Sequence, residues 1–214
     1  MLTLKEFSKS YSGHLILQVP ELHLEPGIHW VKGENGSGKT TLFKSLAGIH
    51  PCSGKISFDD DLDLKRNPIE YRRRVNYSEA EPVYPGFLTA RDLIHFVGKA
   101  KGSTSEQSRP LVEELGITSY YLNPCETYSS GMLKKLSIAL AFLGSPRLII
   151  LDEPLITLDE GARKVLYKLI DRFTSANNTI VLVSSHQDIS ETSLHVKQTL
   201  VIRNKTIEAL EFSN

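Results

Sequence analysis

An α/β core interrupted by a helical insertion is the fold class this sequence predicts, on three observations. Leu148–Ile149–Ile150–Leu151 and Ile180–Val181–Leu182–Val183 are unbroken apolar runs of strand length. Strands buried on both faces of a parallel sheet read this way, because helices cover each face and neither alternates with solvent. Between the two runs, Val165, Leu166, Leu169, Ile170 and Phe173 fall on one helical face, as a crossover helix requires. From Pro85 to Gly144 the pattern is helical throughout.

The remaining elements follow in chain order. Residues 1–7 alternate like a strand, and the chain to about Phe58 is strand-rich. Ile28–His29–Trp30–Val31 reads as a short strand, and Thr41–Leu42–Phe43–Lys44–Ser45–Leu46–Ala47 as a helix after a glycine-rich loop. Ser53 and Gly54 begin a turn that leads into a strand ending at Phe58, and Arg74–Val75–Asn76–Tyr77 is another short strand. Thr89 is placed to cap a helix through Leu93, Ile94 and Val97, with Gly98 near its end. Gly102–Ser103–Thr104–Ser105 signals a loop, and Pro110 opens a short helix that Gly116 stops. A further helix starts near Tyr128 with Leu133, Leu136, Leu140 and Leu143 on one face. No internal repeat or low-complexity linker divides the chain. A single domain over 1–214 is expected, with 1–84 and 145–214 as its β-rich core and 85–144 as a helical subdomain.

Composition narrows the function classes. A length of 214 residues with 40% hydrophobic and 23% charged content suits one large domain with a sizeable core. Equal numbers of basic and acidic residues, 25 each, argue against bulk electrostatic binding to nucleic acid. No apolar run reaches the ~18–20 residues that span a bilayer, and the start lacks the apolar core of a signal peptide. A cytoplasmic protein is expected, with any membrane role exercised through a partner. Cys52 and Cys125 have no metal or redox spacing and read as small structural thiols.

Gly33, Glu34, Asn35, Gly36, Ser37, Gly38, Lys39 and Thr40 match the phosphate-binding pattern G-x-x-x-x-G-K-[ST] at every fixed position. A strand precedes them and a helix follows, which is the context the motif needs. In such a loop the glycines let backbone N–H groups approach phosphates. The lysine would reach the β- and γ-phosphates, the threonine hydroxyl would serve Mg²⁺, and the helix N-terminus would face the anion.

The apolar run 148–151 ends in Asp152 and Glu153. Paired carboxylates at the C-terminal end of a parallel strand face the ligand crevice of an open α/β sheet. Asp152 would hold Mg²⁺, directly or through water, and Glu153 would orient or deprotonate an attacking water. His186 follows the strand that ends in Ser184 and Ser185, so it would lie beside the same strand ends and could donate to a γ-phosphate. His50 and the other histidines read as structural. Ser129, Ser130 and Gly131 open a helix and offer an anion site, though the residues alone favour a simple N-cap. Asp59, Asp61, Asp63 and Glu70 have calcium-loop offsets, but Leu64 stands where glycine is needed, so a solvated turn is expected. Arg72, Arg73 and Arg74 read as a solvated face or a contact with headgroups or a partner.

Taken together these motifs resemble the nucleotide-binding subunits of ATP-binding cassette (ABC) transporters, over nearly the whole chain. The 33–40 loop resembles Walker A, and 148–153 resembles Walker B with its catalytic glutamate. Tyr128–Ser129–Ser130–Gly131–Met132 stands in place of the signature. Ile156–Thr157–Leu158–Asp159 resembles the D-loop, His186 the switch histidine, and Tyr11 the aromatic residue that stacks on adenine. The resemblance implies a P-loop NTPase (RecA-like) core with an N-terminal antiparallel β subdomain and an inserted helical one. It implies ATP and Mg²⁺ as ligands, with nucleotide contacts from Tyr11, residues 33–40, Thr41, Ser129, Ser130 and Gly131. Catalysis falls to Glu153, His186 and Lys39, and the metal to Thr40 and Asp152. It implies a head-to-tail dimer with a second copy or a homologous ATPase subunit, in which Ser129 and Gly131 act on the partner's nucleotide. An integral membrane permease would dock on the helical insertion.

Two departures stand out. Ser130 replaces the first signature glycine and Met132 the glutamine, a form shared with exporter-like cassettes. Ala80 occupies the usual Q-loop glutamine position in Tyr77–Ser78–Glu79–Ala80–Glu81–Pro82, with Glu79 or Glu81 as substitutes through a register shift. The expected function is therefore ATP hydrolysis that powers transport through a separate transmembrane partner, with a soluble cassette ATPase acting on nucleic acid or ribosomes as the alternative.

Overall fold

The computed structural model describes residues 1–59, 61–185 and 194–211. Two sheets organise it. Strands β1 (Leu2–Tyr11), β2 (His14–Leu24), β4 (Ser53–Phe58) and β5 (Leu62–Asp63) form an antiparallel sheet in the order β2-β1-β4-β5. Strands β3 (Gly27–Lys32), β6 (Val75–Ser78), β7 (Leu148–Leu151), β8 (Ile180–Ser184), β9 (Val196–Arg203) and β10 (Thr206–Glu211) form the second, in the order β10-β9-β3-β8-β7-β6. All its pairings are parallel except β9 with β10.

The predicted central strands lie where the apolar runs place them, and their alternation explains why the runs are unbroken. Ile149, Leu151, Val181 and Val183 belong to one core, while Leu148, Ile150, Ile180 and Leu182 belong to another on the opposite face. The first core fills the space under the helical segment and α6 (Glu160–Asn177); the second lies against the antiparallel sheet and α1 (Lys39–Leu46). Burying a Leu or Ile side chain stabilises by roughly 1.5–3 kcal/mol, so every residue of these strands favours the fold.

The helical segment contains α3 (Ala90–Lys101), α4 (Ser105–Glu114) and α5 (Ser130–Ala141), while the short α2 (Pro68–Arg73) precedes β6. Thr89 caps α3 as expected, its hydroxyl accepting from the Asp92 N–H while Asp92 accepts from the Thr89 N–H. The helix runs past Gly98 and ends at Gly102, whose φ of 69° is left-handed. α4 starts at Ser105, ahead of the expected Pro110, which lies inside the helix. A proline there forfeits one i→i−4 bond. The arginine run is solvated, as expected: Arg72, Arg73 and Arg74 are exposed, and they also donate to the carbonyls of Gly48, Ala100 and Ser145. Asp59 meets Met1 and Arg147, and Asp63 accepts from the N–H groups of Lys65 and Arg66. Among the described residues no helix is long and apolar enough to cross a membrane.

Candidate functional site

The 33–40 loop joins β3 to α1 and wraps an open cleft of about 300 Å³. Gly33 has no room for a side chain: a Cβ would lie 2.4 Å from Ser37 Oγ and 3.0 Å from the Ile202 carbonyl oxygen. Gly38, the N-cap of α1, has a left-handed φ of 106°, which glycine adopts without steric cost. The first turn of α1 carries no acidic residue, so the partial positive charge of its N-terminus is left to face an anion. Lys39 Nζ donates to the carbonyls of Gly33 at 2.6 Å and Glu34 at 3.1 Å, which folds the ammonium across the loop. Ser37 Oγ is buried without a hydrogen-bond partner. Ile16, Glu34, Lys39, Thr41, Ala80 and Glu153 are among the residues that line the cleft.

Opposite the loop stands Asp152, the residue after β7, with 1% of its surface exposed. Parallel pairing brings the ends of β6, β7 and β8 side by side, and three hydroxyls converge on this carboxylate. Thr40 donates to Oδ2 at 2.9 Å and Tyr77 at 3.2 Å, while Ser184 donates to Oδ1 at 2.8 Å. The Ser184 hydroxyl also accepts the Glu153 N–H at 3.0 Å, so one side chain positions both carboxylate residues. Burial and the neighbouring Asp152 charge push the Tyr77 phenol well above its ordinary value, which keeps it a donor. Glu153 has a left-handed φ of 46°, a conformation that costs a non-glycine residue about 1–2 kcal/mol. Such strain at a cleft is a mark of function. The set of Thr40, Asp152 and the loop backbone fits both a polyphosphate and Mg²⁺: hard oxygen ligands stand beside a glycine loop and a helix N-terminus free of acidic residues.

Ala80 reaches the cleft with only a methyl group. Its loop is held from two sides instead. Lys44 of α1 pairs with Glu79 at 3.7 Å. Lys134 of α5 donates to the carbonyls of Glu79 and Ala80 at 2.8 Å each, and of Asp152 at 3.1 Å. Burial lowers the Lys134 pKa to about 8 against the opposing pull of Asp152, Glu153 and Glu81. The leucine face expected for α5 is therefore incomplete as a description: Lys134 is 1% exposed, whereas Leu133 is only partly buried.

Ser129, Ser130 and Gly131 are not among the residues lining the cleft. Ser129 is the N-cap of α5, accepting the Met132 N–H at 3.2 Å, and the Met132 sulfur accepts the Ser129 N–H at 3.4 Å. Methionine thus takes the reciprocal place that glutamine or glutamate holds in a capping box. Ser130 is the first helical residue and needs no positive φ, so the missing glycine is tolerated. Gly131 runs against the 156–159 turn, where a Cβ would lie 3.0 Å from the Thr157 carbonyl oxygen. Lys135 pairs with Asp159 at 2.6 Å across the same contact.

Tyr11 also lies off the cleft lining. It is 40% exposed, with the Lys9 ammonium 4.4 Å from its ring centroid and its hydroxyl 2.7 Å from His50 Nδ1. His186 lies outside the described residues. Sequence reasoning missed Tyr77, Ser184 and Lys134. A signal existed for Ser184, which pairs with Val31 in the ladder beside the loop. None existed for Lys134, a charged residue in an otherwise ordinary helix.

A family model described as ABC transporter matches residues 17–156, a span that includes the loop, the start of α5 and both carboxylates. The lantibiotic transport ATP-binding protein SrtF of Streptococcus pyogenes is 32% identical over 87% of this chain and 80% of its own length. The human phospholipid-transporting ATPase ABCA7 is 31% identical over 74% of this chain, which spans 8% of that protein. A solved ATP binding subunit of an ABC transporter superposes with a TM-score of 0.88 at 24% identity, over 99% of this chain and 90% of the other. The dimeric cassette MJ0796 bound to ADP and Pi does so with a TM-score of 0.82 at 20% identity, over the full length of both chains.

Proposed function

This chain belongs to the ABC transporter family as an ATPase subunit, and from that premise we propose that it drives export by hydrolysing Mg·ATP in a head-to-tail dimer with a second copy. One observation carries the reading. Thr40 and Asp152 meet at 2.9 Å directly below a glycine-built loop, so donors for a metal and donors for phosphates converge on one cleft.

The roles follow from the chemistry of each group. Backbone N–H groups of 33–41 cradle the β- and γ-phosphates, and Lys39 swings from its two loop carbonyls to the phosphate oxygens. Mg²⁺, when bound, neutralises charge on the phosphates. Thr40 and Asp152 would hold it, with Tyr77 and Ser184 keeping the carboxylate oriented. Glu153 accepts a proton from the attacking water or orients it, and His186 donates to the γ-phosphate. Tyr11 offers its exposed ring to the adenine. Ser129, Ser130 and the Gly131 N–H serve the nucleotide held by the other copy, which is why they lie away from their own cleft.

A transmembrane partner is supported by an apolar surface beside the 79–82 loop. Val83 and Phe87 are 87% and 79% exposed. Val83 and Ile49 line a cleft of about 310 Å³ together with Tyr84, Val97 and Leu140. Exposed apolar groups mark an interaction site, which supports a peripheral position at the cytoplasmic face of a membrane. The relatives SrtF and ABCA7 are named for transport of a lantibiotic and of phospholipid, and the Met132 form of the signature favours export over import. Phosphate release from Mg·ATP tests the reading: turnover by the wild type, lost in Glu153→Gln with nucleotide binding retained, supports it. Equal turnover in the two proteins contradicts it.

A further inference from the structure

Lys134 is the most deeply buried cationic side chain among the described residues, at 1% exposure. Taking an ammonium out of water is costly unless its hydrogen bonds are replaced. Such a group needs compensation, and it receives three backbone carbonyls. What matters is where they come from. Glu79 and Ala80 belong to the loop after β6, and Asp152 to the turn after β7. Both flank the nucleotide cleft, and Lys134 itself belongs to the helix that starts at Ser129.

The neighbouring contacts make this a seam and not an isolated bond. One turn further along α5, Ser137 and Ser78 share a hydrogen bond of 2.8 Å in the interior. Beyond it, Asn76 Nδ2 donates to the carbonyls of Ala141 and Leu143 at 2.8 Å each. β6 is thus tied to α5 along its length by polar contacts, and Lys134 extends the tie to the carboxylate turn. Ala80 has no side chain able to steer the cleft, so the position of its main chain is what remains to be controlled.

We propose that Lys134 is a positioning residue for hydrolysis: from α5 it holds the main chain of residues 79–80 and of Asp152 at a fixed spacing beside the cleft. It transmits any displacement of the α5 N-terminus to the turn that carries Glu153. The proposal rests on the ATPase reading above.

The test compares Lys134→Met, Lys134→Arg and Lys134→Gln in the full chain, by Mg·ATP turnover, equilibrium nucleotide binding, thermal melting and amide exchange. Lys134→Met matches the length of the chain without donors. It is expected to lower kcat about 10- to 100-fold, the usual cost of a misplaced catalytic group, with nucleotide affinity within about threefold of wild type. Amides of 79–81 and 152–153 should exchange at least about tenfold faster, while those of β8 stay protected. Lys134→Arg, which keeps charge and donors, should recover kcat to within about threefold. If Lys134→Met does not fold, Lys134→Gln is read the same way. Unchanged kcat and exchange in the donor-poor variant overturn the proposal. So does a loss of kcat that tracks only a loss of folded protein and that arginine does not repair. Inactivity of the wild type would instead overturn the ATPase reading, and the exchange result would still decide the role of Lys134.

Discussion

The N-termini of α1 and α5 begin alike and end differently. Neither first turn carries an acidic residue, so each presents an uncompensated positive end to solvent. At α1 the chain supplies everything around that end: Asp152 bonded to Thr40, Glu153 placed by Ser184, and a loop closed by Lys39. At α5 it supplies only the cap, made by Ser129 and Met132, and the turn of Thr157 packed against Gly131. Ser129 and Ser130 stay exposed. On the proposed reading, the α1 end is an anion site completed within the chain, while the α5 end is a donor set whose acceptor would come from another copy. Two copies arranged head to tail satisfy both.

Glu153→Gln should break the complete side most severely. Loss of a general base costs roughly 10²–10⁴-fold, so phosphate release should nearly vanish while nucleotide binding persists. A stable ATP-bound dimer should then appear by size-exclusion chromatography. Ser129→Arg strikes the other side. The isolated chain should bind ATP as before, yet turnover should fall on the order of 10²-fold, because donors to the developing charge are displaced. If nucleotide affinity of the monomer also collapsed, the two ends would not be separate as described.

Tyr11→Ala probes the base. Stacking on an aromatic ring is worth about 1–3 kcal/mol per base, so ATP affinity should drop about 5- to 150-fold while inorganic triphosphate binds unchanged. Equal losses for both ligands would remove Tyr11 from the base site. The smallest effect expected is on stability. Ser184→Ala leaves one Asp152 oxygen and the Glu153 N–H without this partner, at a cost of about 1–3 kcal/mol. Denaturant unfolding should register that loss, and kcat should fall with it, since the same hydroxyl orients both carboxylate residues.

The site was largely legible because its chemistry demands a fixed spacing. A phosphate loop needs glycine where a Cβ would strike Ser37 Oγ, and the carboxylates must follow a buried strand, so both leave marks in one dimension. The fold was legible for a related reason: β7 and β8 are apolar on both faces, and their residues divide alternately between two cores. What stayed hidden depends on side chains meeting from distant segments. Tyr77 and Ser184 reach Asp152 only because β6, β7 and β8 end in register. Lys134 looks like any helix lysine until burial shows three carbonyls around it. The helix at Ser105 was obscured by Pro110, whose local cost the surrounding turn absorbs.

The central claim is that a working site needs the loop of one copy and the α5 N-terminus of another. Mixing two inactive variants tests it most directly. Lys39→Ala disables the loop, and Ser129→Arg disables the helix end; each protein alone should be nearly inert. Random pairing makes half of the dimers mixed, and each mixed dimer keeps one intact site of two. Mg·ATP turnover should therefore recover to about one quarter of the wild-type rate in an isologous dimer. A mixture no more active than the two variants measured separately, with both folded and dimers formed, would contradict the account.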